Sequence, residues 1–267
     1  HDRTKQTSEY LLRMTKILVI PDMQVKPGVD TSYIDSIASY ILDKQPDVIV
    51  NLGDMADMPS LSSYDQGKKS FEGRRYKDDV ESVVNAQIKL FQPIAAYQER
   101  QRINKKRVYL PRTVMLLGNH EQRINRAVNN DPKLDGVLSI DDLHYNNFWD
   151  EVYPFLEVVE IEGVAFSHYF TTGLAGRPSA TANAQLNKQH QSCISGHQQG
   201  LQIAMSTNAA GKRITSIIAG SCYKHEEEYL GAQGNNHWRG MLMLHSVKDG
   251  EFDLVSIPLD YLEKKYG

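Results

Sequence analysis

Five short blocks carry side chains suited to metal-assisted hydrolysis. They are Pro21-Asp22-Met23-Gln24, Gly53-Asp54-Met55-Ala56-Asp57, Gly118-Asn119-His120-Glu121, Ser167-His168 and Gly196-His197-Gln198-Gln199. Carboxylate, amide oxygen and imidazole are the donor types that hold Mn, Fe, Zn or Mg. One aspartate can bridge two ions with its two oxygens. Two ions about 3.5–4 Å apart can then hold a hydroxide and clamp a phosphate in line with it. Each residue alone has an ordinary alternative: His168 as a satisfied structural histidine, Asp22 as a turn cap, Asp54 and Asp57 as a solvated loop pair. Those alternatives would have to hold at all five places together.

The elements around the blocks must bring them to one place. Lys16–Ile20 reads as a buried strand, a helical pattern follows from Asp30 to Lys44 with Asp30 or Thr31 as cap, and Asp47–Leu52 reads as a second buried strand. This order makes a β-α-β unit, which gives a parallel sheet with a right-handed crossover. A loop over 55–78 leads to a long helix from Lys77 to Arg102, with a bend expected at Pro93, and then to a strand over Thr113–Leu117. Helix returns after Asn119. Beyond residue 156 the pattern turns to strand: Leu156–Ile161, Gly163–Ser167, Ser192–Ser195, Leu201–Thr207, Arg213–Ala219, Met241–Val247 and Phe252–Ile257. Glu162-Gly163 and Lys248-Asp249-Gly250 read as hairpin turns, so this half is expected to be mostly antiparallel. Each chemical block follows the carboxyl end of a predicted strand, which is where open α/β sheets bind ligands.

The blocks, in this order, resemble the D-x-H, G-D-x-x-D, G-N-H-[DE], lone His and G-H-x-H signature of the calcineurin-like metallophosphoesterases. The match spans about residues 16–200, and phage-encoded members are similar in length and texture. The resemblance implies a four-layer αββα sandwich: two mixed β-sheets face to face, flanked by helices. It implies that Asp22 binds a first metal, that Asp54 bridges both metals, and that Asn119, His168 and His197 bind the second. It gives His120 the task of protonating the leaving oxygen or of stabilising the transition-state phosphoryl group, and Asp57 that of orienting His120. That pairing has a physical basis, because a neighbouring carboxylate raises an imidazole pKa and fixes its tautomer. Two positions depart from the signature. Gln24 stands in place of a first-motif His, and Gln199 in place of a last-motif His. An amide oxygen at Gln24 can still ligate, but it is neutral and harder than imidazole, so a weaker first site biased toward Mn or Mg is expected. Two divalent ions are expected overall, with Mn first and Mg, Fe, Zn or Ni as alternatives.

The totals constrain the rest. A chain of 267 residues with 40% hydrophobic and 24% charged side chains can bury a core unaided, and residues 14–267 are expected to form one domain. Residues 1–13 are polar and read as a linker or the remnant of something upstream. Two cysteines imply no disulfide framework, and no apolar run has transmembrane length, so a bacterial or phage-infected host cytoplasm and no membrane partner are expected. A net charge of −3 does not announce a nucleic-acid binder. Locally, however, Lys68, Lys69, Arg74, Arg75 and Lys77 interleave with Tyr64, Phe71 and Tyr76 just after Asp57, and Arg100–Arg107 is also basic. These stretches either guide a polyanion or solvate a loop and a helix face. Arg123 either grips a substrate phosphate or sits on a helix surface. His225, Trp238 and Arg239 border the pocket or pack. The resulting expectation is a phosphodiesterase or nuclease acting on nucleic acid or nucleotides. The alternatives are a phosphomonoesterase, toward which Glu121 leans through its likeness to G-N-H-E protein phosphatases, and a metal-binding scaffold of reduced activity.

Overall fold

The computed structural model describes residues 14–267 apart from Leu174, so the expectation for residues 1–13 lies outside the described residues. One sheet has six strands in the order β11-β10-β1-β2-β3-β4. These are β1 (Thr15–Ile20), β2 (Val48–Asn51), β3 (Arg112–Leu116), β4 (Glu151–Tyr153), β10 (Gly240–Lys248) and β11 (Glu251–Pro258). β1 to β4 run parallel, while β10 and β11 add an antiparallel edge. The second sheet has five strands, β5-β6-β7-β9-β8, formed by β5 (Val159–Ile161), β6 (Val164–Ser167), β7 (Cys193–Ser195), β8 (Leu201–Thr207) and β9 (Arg213–Ala219).

β1 shows why the sheets stack. Its residues alternate between two cores. Ile17 and Val19 join Val50, Leu52, Val114 and Leu116 against Phe166, Ile194 and Ile217 of the other sheet. Leu18 and Ile20 face the opposite way, toward helices. Burial on both faces explains the unbroken apolar run, and each such side chain contributes roughly 1.5–3 kcal/mol. The helices covering that outer face are α1 (Tyr33–Lys44) and α2 (Tyr76–Ile103). α1 buries Ile34, Ile37, Ala38 and Ile41, spaced for one helical stripe, and ends at Gln45 in the left-handed conformation. After β3 comes α3 (Gln122–Asn130); α4 (Ala182–Gln189) packs on the far side of the second sheet and α5 (Leu259–Tyr266) returns to the first. The four layers are therefore helix, sheet, sheet, helix, as the sequence implies.

Several local expectations are corrected. Neither Asp30 nor Thr31 caps α1: Ser32 precedes the helix, and Asp30 instead accepts a hydrogen bond from the Ser32 amide at 2.8 Å. The strand expected from Leu156 begins only at Val159, because Leu156 has φ of 67° and cannot lie in a strand. The second half is less antiparallel than expected: β6, β7 and β9 are mutually parallel, with α4 supplying the crossover between β6 and β7. β4, α4 and α5 have no counterpart in the sequence reading. The two hairpins do form as expected, with Glu162-Gly163 and Asp249-Gly250 all at positive φ, the twist that two-residue turns need.

Candidate metal centre and acid

The parallel strands deliver the five blocks to one edge. Ile20 of β1 lies beside Asn51 of β2, Asn51 beside Met115 of β3, and Ser167 of β6 beside Ser195 of β7. The loops that follow interlock so closely that glycine is required. A Cβ at Gly118 would sit 2.1 Å from Asp54 Oδ1, and one at Gly196 would sit 2.4 Å from Asp22 Oδ1. Three candidate ligands take the left-handed backbone that non-glycine residues avoid: Gln24 at φ 42°, Asp54 at 50° and His197 at 67°. Such strain persists where the surroundings over-determine it, and it clusters at functional sites.

Four side chains converge at the second metal position. His168 Nε2 and His197 Nδ1 lie 2.9 and 2.7 Å from the same atom, Asn119 Oδ1. Asp54 Oδ2 is 3.4 Å from His168 Nε2, and ligand atoms of Asp54, His168 and His197 fall within 4.8 Å of one another. His168 Nδ1 lies 2.8 Å from the Leu52 carbonyl, which only accepts, so this nitrogen carries the proton and the neutral ring turns its Nε2 lone pair toward Asn119 and Asp54. Lone pair facing lone pair needs positive charge between them. In the bare protein a proton supplies it: burial disfavours the charge, but Asp54 outweighs burial and raises His168 to about 9. His197 goes the other way, down to about 4, through burial and the neighbouring His168. A divalent cation meets the same demand, so the donor set fits a metal.

The first metal position is less complete. Asp22 is fully buried; its Oδ1 accepts from the His197 amide at 3.0 Å, while its Oδ2 has no hydrogen-bond partner. Burial, with Asp54 nearby, pushes this carboxyl up to about 7. Gln24 is 1% exposed, and its Oε1 is also without a partner. Two orphaned buried oxygens cost free energy unless something pairs them, which again fits a cation. Gln199 is already occupied, since its Oε1 accepts from Tyr223 at 2.8 Å.

His120 lies between these ligands and the cleft. Its Nδ1 is 2.7 Å from Asp57 Oδ1, its amide donates to Asp54 Oδ1 at 2.8 Å, and its Nε2 is 3.8 Å from Asp54 Oδ2. Burial lowers the His120 pKa, but Asp54 and Asp57 outweigh it and the net shift is upward. Asp57 is held below the usual carboxylate range, because His120, Lys26 and Arg123 overcome its burial. Arg123 donates to the Asp57 carbonyl at 2.9 Å and brings its other terminal nitrogen 3.3 Å from His120 Nε2. It stands at the acid, not free on a helix surface. Lys26 contacts the outer oxygen of Asp57 at 3.0 Å.

Glu121 carries the sequence's lean toward a phosphomonoesterase. It does not reach the cleft. Fully buried, it accepts from the amides of Asp54 (3.0 Å), Ala56 (2.9 Å) and Gly118 (2.8 Å) and from the Tyr145 hydroxyl (2.9 Å). It staples two ligand loops together, so its presence says nothing about substrate. Lys26 and Tyr145 were missed; a lysine two residues beyond Gln24 was the available signal for the first, and nothing marked the second. Two of the five basic side chains of the stretch after Asp57 are committed as well: Lys68 and Arg74 both pair with Asp65 at 2.8 Å. Trp238 is partly buried against the inter-sheet core, and Arg239 lies over the Tyr223 ring.

These residues open onto a cleft of about 980 Å³, lined by nine carboxylates and five cationic side chains, with Gln24, Asn119, His120 and His197 at its floor. The calcineurin-like phosphoesterase profile matches residues 15–238. The Gene 54 proteins of Mycobacterium phages L5 and D29 are 39% and 36% identical to it over 66 residues. That stretch covers 25% of this chain and only 26% of each relative, so the match spans about a quarter of their length. Among solved structures, Yfce, a phosphoesterase from E. coli, aligns over 91% of this chain and 99% of its own, at 13% identity and a TM-score of 0.35. Among the described residues no helix is long and apolar enough to cross a membrane.

Proposed function

Because the chain belongs to the calcineurin-like phosphoesterase family and is a metal-dependent phosphoesterase, we propose that it hydrolyses phosphodiesters of nucleotide size. The observation that carries this reading is the state of the cationic side chains in the cleft. Lys26 pairs with Asp57 and Glu227, Lys68 and Arg74 with Asp65, and Arg123 with Asp57. Among the described residues only Arg75 lines the cleft without a carboxylate partner. A monoester dianion needs extra donors for its terminal oxygens, whereas a diester monoanion needs fewer. A long polyanion needs a cationic track, and nine carboxylates against five cations do not make one. The cleft volume suits a single nucleotide-sized ligand, and exposed Tyr64 at its rim offers a ring face for a base.

In this reading Asn119, His168 and His197 would hold one ion, Asp22 and Gln24 would hold another, and Asp54 would serve both. When bound, the metal supplies Lewis-acid charge and an activated water. The neutral oxygens of Gln24 and Asn119 favour Mn or Mg over Zn. His120, oriented by Asp57, donates a proton from Nε2 to the leaving oxygen. Arg123 contributes fixed positive charge beside it. Residues 14–267 act as one catalytic domain. The phage relatives support a bacterial host cytoplasm as its setting.

The test is a panel of a chromogenic diester, its monoester counterpart and single-stranded DNA, each with Mn, Mg, Zn and Ni. The diester is expected to turn over fastest, with Mn as the best ion. A faster monoester, or processive degradation of DNA, would overturn the assignment.

A further inference from the structure

We infer that Lys26 is a positioning residue for the acid, held in place by Glu227. The inference rests on the reading of His120 as the group that faces the leaving oxygen. Asp57 has two oxygens with separate tasks: Oδ1 meets His120 Nδ1 at 2.7 Å, and Oδ2 meets Lys26 Nζ at 3.0 Å. The same ammonium reaches Glu227 Oε1 at 2.6 Å. Lys26 therefore bridges two carboxylates from chain segments about 170 residues apart, and it is the contact that fixes the rotation of the Asp57 carboxylate about its own axis.

Glu227 is built as a rigid abutment. Its amide donates to Asn235 Oδ1 at 2.8 Å while Asn235 Nδ2 donates back to its carbonyl at 2.9 Å. Its carboxylate is also 2.8 Å from His225 Nε2, and the His225 ring stacks on Tyr223 at 4.4 Å between centroids. The side chains of both Asp57 and Glu227 are under a tenth exposed, and that of Lys26 only a fifth. Two of the three N–H donors of this ammonium go to protein carboxylates, so most of its capacity is spent on the strut although it lines the cleft. Without it, the outer Asp57 oxygen is buried and unpaired, and the carboxylate is held only through Oδ1, by His120 at 2.7 Å and Arg123 at 3.3 Å. The imidazole then loses the alignment on which proton transfer depends.

The experiment measures Lys26→Met, Lys26→Arg, Glu227→Gln and His120→Ala on the chromogenic diester with Mn. Lys26→Met is expected to lower kcat by about 10- to 100-fold with KM within about twofold, the usual size of an outer-shell loss. Lys26→Arg should recover most of it, and Glu227→Gln should fall between. Adding Lys26→Met to His120→Ala should cause no further loss, because two residues acting through one step are not additive. A raised KM with unchanged kcat would make Lys26 a substrate contact and overturn the inference. So would a further drop in the double variant. If Lys26→Met does not fold, Glu227→Gln alone decides, since it breaks the far end of the strut. A normal rate in His120→Ala would instead overturn the reading of the acid, which separates the two failures.

Discussion

The two candidate metal positions would share Asp54 and differ in almost everything else. The second is assembled from three further side chains that already touch: Asn119, His168 and His197 meet within hydrogen-bonding distance of one oxygen. The first has Asp22 and Gln24 with one orphaned oxygen each, while Gln199 is turned away to Tyr223. One position is thus preorganised by mutual contact, and the other is a pair of unmet acceptors. Preorganisation costs nothing further when the ion arrives, so the second position should fill first and hold longer.

The contrast can be broken in several ways. The largest effect belongs to His120, which touches neither position's ligand set except Asp54. His120→Ala should slow turnover by about two to four orders of magnitude while the metal titration stays as in the wild type; a lost ion would erase the line between acid and metal site. Next, His168→Ala should weaken the tighter ion by more than about 100-fold, beyond what outer-shell changes cost, while Gln24→Ala should leave that ion untouched and affect only the weaker one. Calorimetric titration of both variants with Mn would show two distinct sites, and equal losses would show one. Gln24→His should sharpen the contrast from the other side: the weaker ion tightens by about tenfold and its preference moves toward Zn.

The smallest effect concerns the protein stripped of metal by chelator. His168 has a folded pKa of about 9, above its unfolded value of about 6.5. Its contribution is therefore complete below pH 6.5 and is lost as pH rises through 9. Asp22, raised to about 7, finishes losing its contribution inside the same window and adds to the fall, and His197, lowered to about 4, has already gained its own. The melting temperature of the stripped protein should thus fall between pH 6.5 and 9. With Mn added the fall should vanish, because the ion replaces the proton. A flat profile in the stripped protein would mean that His168 does not carry that proton.

The sequence showed the strands of the first sheet because they are buried on both faces and read as unbroken apolar runs, as in Ile17–Ile20 and Val48–Val50. It showed the ligand blocks because each follows such a run. β4 escaped notice because Glu151–Tyr153 is short and only half-buried, and its identity comes from pairing with β3. α4 escaped because Ala182–Gln189 is mostly polar and relies on the Thr181 cap and on packing against β8 and β9. The roles of Glu121 and Lys26 were illegible for a different reason. A glutamate that staples backbone amides and a lysine that spans to Glu227 depend on partners far along the chain; the place of Lys26 two residues beyond Gln24 is the one local trace, and it does not name the partner.

The direction of α2 has an effect on traffic into the cleft. Arg75, Asp78 and Asp79, at the helix's amino end, line the mouth, and its 28 residues give it a length of about 42 Å. The aligned peptide dipoles leave roughly half a positive charge at that mouth. The Asp78 and Asp79 carboxylates of the same first turn stand against that half charge, so the field an arriving ligand meets at this mouth is set by the balance of helix end and side chains.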